Sequence, residues 1–176
     1  MNEKPTYRRH ALAVRKAMSA TQRDAASRTI TDALSRMFKA RGITTIAAYY
    51  PMRGELDMVA LKADFTLFLP KVIDGRIAFY QDTGDYTEGN FNTTVPAHDD
   101  QTDLGEIDAV IVPGLCYDKQ GYRVGYGKGY YDDLLSRYEG MSVGVCYADL
   151  VFDSLPIQPH DRAVDVLLTE RGTMKG

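Results

Sequence analysis

The chain has little from which to build a redox or transition-metal centre. Its 176 residues include two cysteines and three histidines. Cys116 and Cys146 stand far apart with no C-x-x-C spacing, and His10, His98 and His160 are scattered. That pattern speaks against a zinc site and for buried, reduced thiols. No stretch approaches the about 18 consecutive apolar residues of a membrane-crossing helix. The opening Met1-Asn2-Glu3-Lys4 lacks the apolar core of a signal peptide. Repeats, low-complexity tracts and interior linkers are absent as well. The expectation is a cytoplasmic protein without a membrane partner. What remains is 44% hydrophobic and 26% charged, an ordinary globular composition that excludes disorder. One domain over residues 1–176 follows, burying roughly 70% of its unfolded surface.

The net charge of −3 is unevenly spread. Residues 1–41 carry ten Lys/Arg against three Asp/Glu, and the rest of the chain carries eleven against twenty-one. A basic arm for nucleic acid is one reading. Leu12, Met18, Ile30, Leu34, Met37 and Phe38 instead give the segment an apolar stripe, and aromatic platforms for bases are scarce there. A helical layer packed on an acidic body is the better account, with no nucleic acid bound and some cations left for a phosphorylated ligand.

Two helices are expected over residues 6–41. The second opens on the capping box Ser19-Ala20-Thr21-Gln22, carries Ile30, Leu34, Met37 and Phe38 at helical spacing and stops at Gly42. Strands are expected at Thr45–Tyr50, Thr66–Leu69, Ile77–Gln81, Ala109–Val112, Ser142–Tyr147 and Val166–Thr169. Short helices are expected at Met58–Ala63 and 130–138. Residues 82–106 are polar and acidic without period and read as a surface excursion. Alternating strands and helices imply an α/β fold with a mostly parallel sheet and helices on both faces. In such folds ligands lie beyond the carboxyl ends of the strands, where Pro113–Lys128 follows strand 109–112.

The most informative segment is Gly121-Tyr-Arg-Val-Gly-Tyr-Gly-Lys-Gly-Tyr-Tyr-Asp132. Glycine at 125, 127 and 129 leaves the backbone bare, so a polyanion can reach the amide N–H groups. Arg123 and Lys128 place positive charge at both ends. An apolar helical stretch follows, whose free N–H groups face the same spot. Two familiar motifs fail here. Gly129 follows Lys128 where a P-loop needs Ser or Thr, and the third glycine comes one residue early for G-x-G-x-x-G. A bare glycine pair would suit any flexible strand-to-helix loop. The cations, tyrosines and aspartate gathered within this segment favour anion binding.

The run Asp108-Ala-Val-Ile-Val-Pro-Gly, followed by Asp118-x-x-Gly-Tyr-Arg123-x-Gly-Tyr-Gly-Lys-Gly-Tyr-Tyr-Asp132, resembles the signature of the 5-formyltetrahydrofolate cyclo-ligase (methenyltetrahydrofolate synthetase) family. The likeness runs nearly end to end. It includes Lys4-x-x-x-Arg8 (with Tyr7 where the family has leucine), Met18-Ser19, Ser27-x-x-Ile30, Tyr49-Tyr50-Pro51…Glu55, Leu69-Pro70-Lys71 and Leu155-Pro156…His160-Asp161-x-x-x-Asp165. The glycine-loop motif is specific; the other matches are individually weak but correctly ordered. Two departures stand out: Val95-Pro96 where the family often has Glu-Pro, and Leu150 where it often has Gln.

The resemblance implies a three-layer α/β sandwich that converts 5-formyltetrahydrofolate and ATP to 5,10-methenyltetrahydrofolate, ADP and phosphate with Mg²⁺, acting as a monomer on small molecules. It assigns Lys4, Arg8, Arg123, Val124, Gly125, Tyr126, Gly127, Lys128, Gly129, Tyr130 and Tyr131 to ATP, with Lys128 and Arg123 as the catalytic cations. It assigns Tyr50, Glu55, Tyr126, Gly127, Lys128, Gly129 and Tyr130 to the folate, and Asp132 and Asp161 to the metal. Each has an ordinary alternative. Asp132 is also a dipole-favoured first-turn residue, Asp161 a turn cap, Glu55 a solvated loop residue, and the tyrosines core, Tyr131 above all. Two other functions stay open: a folate- or nucleotide-binding regulator without catalysis, and a phospho-sugar enzyme on a related fold.

Overall fold

The capping box at Ser19 forms as the sequence requires. In the computed structural model, which describes residues 3–176, the Ser19 hydroxyl accepts from the Gln22 N–H at 3.1 Å, and the Gln22 side chain accepts from the Ser19 N–H at 2.8 Å. Two amides left over at the helix start are thus satisfied reciprocally. Helix α2 (Ala20–Ala40) buries Ala26, Ser27, Ile30, Leu34 and Phe38, and Gly42 takes the left-handed conformation just past its end, at φ +69°. Helix α1 (Lys4–Ala17) starts at Lys4 rather than residue 6, with Pro5 in its first turn, where the missing N–H costs nothing.

The remaining elements are strands β1 (Thr45–Ala47), β2 (Thr66–Ile73), β3 (Arg76–Gln81), β4 (Tyr86–Glu88), β5 (Thr94–Pro96), β6 (Gln101–Thr102), β7 (Ala109–Val112), β8 (Cys116–Asp118) and β9 (Arg123–Val124), helix α3 (Tyr130–Arg137), and strands β10 (Met141–Val145), β11 (Val151–Phe152), β12 (Val166–Thr169) and β13 (Gly172–Lys175). Eight strands form the central sheet in the order β13-β12-β10-β7-β1-β2-β3-β6. Its middle, from β12 to β2, is parallel, and both edges are antiparallel. Helices cover both faces, giving a three-layer α/β sandwich. All four residues of β7 are fully buried, as expected of a strand covered on both sides. From β1 the chain passes to β2 on one side and later returns through β7 on the other. That reversal opens a crevice beyond the carboxyl ends of β1 and β7, the place where such sheets take ligands.

Several boundaries differ from the sequence expectation. Strand β2 continues through Pro70 to Ile73. It pairs with β1 only as far as Phe68 and with β3 from Phe68 onward, so the proline sits where no neighbour needs its N–H on the β1 side. The stretch 82–106 is not a plain surface excursion, since it contains the β4–β5 hairpin and the edge strand β6. Pro113–Lys128 is not one open loop either. Cys116–Asp118 and Arg123–Val124 form an antiparallel hairpin, extended by β11 into a small second sheet. Leu115, Tyr117 and Val124 are buried there, so apolar burial outweighs the glycine-rich composition. The short helix at 58–63 is a 3₁₀ turn over Val59–Ala63, and β13 was not foreseen.

Chemical denaturation of single variants tests this packing. Ser19→Ala should cost about 1 kcal/mol, the usual value of a lost N-cap. Leu34→Ala, at a fully buried position, should cost about 2–5 kcal/mol.

Candidate functional site

The bare segment starts where β9 ends. Val124 is buried in the small sheet, so only its backbone is available to a ligand, while residues 126–129 are exposed. Gly127 (φ +96°) and Gly129 (φ +73°) are left-handed, and Gly129 is the N-cap of α3. Gly125 does not use positive φ, so two positions rather than three require glycine for backbone conformation. Asp118 shapes the hairpin beneath. Its Oδ1 accepts from the Gln120 and Tyr122 N–H groups and its Oδ2 from Leu155 N–H, each at 3.0 Å. In the hairpin turn, a Cβ on Gly121 would fall 2.8 Å from the Val164 carbonyl oxygen.

Helix α1 braces this loop from one side. Arg8 Nε donates to the Gly125 carbonyl at 2.7 Å, and a Cβ on Gly127 would come within 3.2 Å of the Arg8 guanidinium. One turn earlier, Lys4 Nζ lies 2.6 Å from Asp161 Oδ2, with both side chains buried. The same oxygen accepts from Gln158 N–H at 2.6 Å. Burial pushes the Asp161 carboxyl up, but the bonds from Lys4 and Gln158 outweigh it and hold the group below the ordinary aspartate value.

Arg123 departs from expectation. Its side chain is 6% exposed, with Nη1 3.3 Å from Asp132 Oδ1 and the guanidinium 5.7 Å from the Tyr131 ring centre. It is therefore turned inward, and of the two loop cations only Lys128 is exposed. Arg162 N–H also donates to Asp132 Oδ1, at 3.0 Å. Both donors land on one oxygen, which leaves Oδ2 as a hard ligand atom. Among the described residues no cluster of three or more His, Cys, Asp or Glu is placed to hold a metal. A magnesium ion retains much of its water and needs only one or two carboxylates beside phosphate oxygens, so Asp132 fits it. Asp161 fits it less well, since its side chain is more deeply buried (6% against 18% exposed) and its second oxygen already lies 3.6 Å from His160 Nε2.

The opposite wall comes from the turn after β1. Tyr50 stands edge-on to Tyr86, with ring centres 5.3 Å apart, and the Arg53 guanidinium lies 5.1 Å from the Tyr126 ring centre. Glu55 Oε2 accepts from Met52 N–H at 3.0 Å. Burial raises the Glu55 carboxyl above its ordinary value, against that bond and the charges of Arg15 and Arg53. Burial first, and the Glu55 charge second, raise the hydroxyls of Tyr126 and Tyr131; the Arg53–Tyr126 contact brings the 50–55 turn against the glycine loop. Tyr130 and Tyr131 pack partly on the core, as expected for Tyr131. Cys116 and Cys146 are free and buried, and burial pushes the Cys116 thiol up to about 12.

Sequence reasoning missed Arg15, Arg53 and Arg162. A signal existed for Arg15: it stands eleven residues after Lys4 and seven after Arg8, on the same helical face.

Comparison with known proteins places these observations. A model of the 5-formyltetrahydrofolate cyclo-ligase family matches residues 1–170. The chain is similar to an NMR structure of Aquifex aeolicus 5,10-methenyltetrahydrofolate synthetase, at 33% identity and a TM-score of 0.87, covering 97% of this chain and 91% of that one. A 5,10-methenyltetrahydrofolate synthetase from Mycoplasma pneumoniae is 26% identical with a TM-score of 0.78, covering 96% and 99%. The 5-formyltetrahydrofolate cyclo-ligase of Saccharomyces cerevisiae is 36% identical over 85 residues, 44% of this chain and 39% of that protein. Matches to the first curated relatives span less than two thirds of their own length (39%, 64% and 63%). No helix among the described residues is long and apolar enough to cross a membrane.

The Lys4–Asp161 pair yields a pH-dependent prediction. A carboxyl whose folded pKa is lowered contributes stability above its unfolded value, about 3.9, and loses it as pH falls through the folded value. Lys4→Met leaves Asp161 buried without its lysine. Urea denaturation should show a large loss at pH 7 that shrinks below about pH 4. An equal loss at pH 7 and pH 3 contradicts the pairing.

Proposed function

Because the chain belongs to the 5-formyltetrahydrofolate cyclo-ligase family, we propose that it is an enzyme that converts 5-formyltetrahydrofolate and ATP to 5,10-methenyltetrahydrofolate, ADP and phosphate. The observation that carries this reading is the exposed glycine loop, with Arg8 beneath it and Lys128 on it, in contact with the 50–55 turn through Arg53 and Tyr126.

An N-formyl amide is a poor electrophile, so its oxygen must first become part of a leaving group. The formyl oxygen attacks the γ-phosphorus of ATP and the bond to the β–γ bridging oxygen breaks, releasing ADP. The N5 substituent is then an imidate-like phosphate. N10 adds to the activated formyl carbon and loses its proton. Departure of phosphate breaks the C–O bond and leaves the methenyl bridge between N5 and N10. No protein nucleophile is required, because the substrate oxygen fills that role.

Phosphoryl transfer of this kind asks the protein for alignment and neutralisation of charge. The amides of 125–129 and the start of α3 bind the terminal phosphates, and Lys128 stabilises charge on the transferring group. Arg8 holds the loop in shape through Gly125. Lys4, fixed by Asp161, adds positive charge on the same helical face. Arg123 acts from beneath, orienting Asp132. Asp132 would hold a magnesium ion, which when bound supplies charge neutralisation at the phosphates. Tyr50, Glu55 and Tyr126 form the folate wall, with Tyr130 at its foot.

Neither departure from the family pattern favours a non-catalytic regulator. Leu150 is fully buried core, and Val95 pairs across from Thr87 in the β4–β5 hairpin.

An absorbance assay with Mg²⁺-ATP and 5-formyltetrahydrofolate should show a new near-ultraviolet band, with ADP released only when the folate is present. ADP release without folate, or no band, rejects the reading. Lys128→Ala should lower turnover by about 10²–10³; unchanged turnover removes Lys128 from the mechanism.

A further inference from the structure

Arg15 is the most unusual charged residue of the fold. It is 4% exposed, yet its Nε and Nη1 are buried with no hydrogen-bond partner. Its Nη2 alone is used, donating to the Gly114 carbonyl just past the end of β7. A buried guanidinium with unmet donors lowers the stability of the free protein. Such a group is explained when a ligand supplies the missing acceptors.

Its surroundings say where that ligand lies. The Gly114 carbonyl that Arg15 bonds lies just past β7, the Gly54 turn after β1 packs on the Arg15 Cβ, and Tyr147, just after β10, bonds that turn. These positions ring the crevice beyond the carboxyl ends of the central strands. Gly54 brings Glu55 there. Its φ is +76°, and a Cβ on it would lie 3.5 Å from Arg15 Cβ, so the turn packs directly on α1. Tyr147 Oη donates to the Gly54 carbonyl at 2.8 Å and clamps the turn in place. The neighbouring hydroxyls are engaged elsewhere, Tyr49 donating to Leu56 O at 2.7 Å. Glu55 is bonded to Met52 N–H, not to Arg15. A guanidinium and a carboxylate therefore stand on either side of the Gly54 turn without pairing.

That arrangement is wrong for a phosphate, which Glu55 repels. It suits a neutral ligand edge that presents an acceptor beside donors. Resting on the reading of the preceding subsection, we propose that Arg15 is a substrate-contacting residue: it donates to the 4-oxo oxygen of the pteridine ring while Glu55 accepts from the adjacent N3–H and 2-amino groups. The ring fills the space between the two side chains and satisfies the donors that the free protein leaves unmet. Arg15 thus decides which pteridine enters, and the phosphate cradle decides the nucleotide.

Calorimetry on the full chain tests this with 5-formyltetrahydrofolate, with its 4-amino analogue, and with Mg²⁺-ATP. The wild type should prefer the 4-oxo compound by about 10- to 100-fold, the range of one hydrogen bond to a charged group. Arg15→Met should lose that preference and bind 5-formyltetrahydrofolate about 10- to 100-fold more weakly, with ATP affinity unchanged. The ligand-free variant should melt no lower than wild type. A lower melting point with unchanged folate affinity makes Arg15 a structural brace and overturns the proposal. Equal affinity of the wild type for the 4-oxo and 4-amino compounds also overturns it, and that comparison decides alone if Arg15→Met does not fold. Conversion of 5-formyltetrahydrofolate by the wild type is measured separately, so failure of the general reading is distinguishable from failure of this one.

Discussion

Two basic side chains of α1 tie that helix to loops beyond the carboxyl ends of the strands, and the glycine loop keeps its place only while they do. Lys4 reaches Asp161 and Arg8 the Gly125 carbonyl. Each is a charge-assisted hydrogen bond, stronger than a neutral one. Together they set the position of the glycine loop relative to α1. Part of the excess of cations in the first 41 residues has its account here, in a layer fastened onto an acidic body.

Beneath the crevice the support is packing rather than charge. Tyr117 on β8 is fully buried, donates to the Val112 carbonyl at 2.7 Å and lies where a Cβ on Gly144 would fall, 2.7 Å away. The glycine on β10 therefore makes room for a tyrosine that locks the small sheet onto the large one. Dense packing of this kind leaves the hairpin no freedom to tilt.

The crevice also divides its charges by role. Lys128, the bare amides and the N-terminal end of α3 lie at the glycine loop, where the proposed function puts polyphosphate, with Asp132 and Asp133 in the first turn of that helix. Glu55 stands across from them among tyrosines, where a flat, neutral ring is expected. Arg123 and Asp132 neutralise each other beneath the loop, so the field at the loop surface comes from Lys128, the amides and the end of the helix. A cation turned inward in this way contributes geometry rather than surface charge.

Local patterns were enough for much of this. Apolar residues at helical spacing, the Ser19–Gln22 box, the glycine past α2 and the apolar run 109–112 each define an element through neighbours in the chain, and each appears where the pattern puts it. The make-up of 121–132 was legible for the same reason, because bare backbone, cations and a helix start lie within one short segment. Tertiary structure alone decided which way Arg123 points, that Lys4 meets a carboxylate 157 residues away, that β6 and β13 complete the sheet edges, and that Arg15 lies in the crevice. Those outcomes depend on burial and on partners brought together by the strand order, and neither periodicity nor spacing along the chain carries that information.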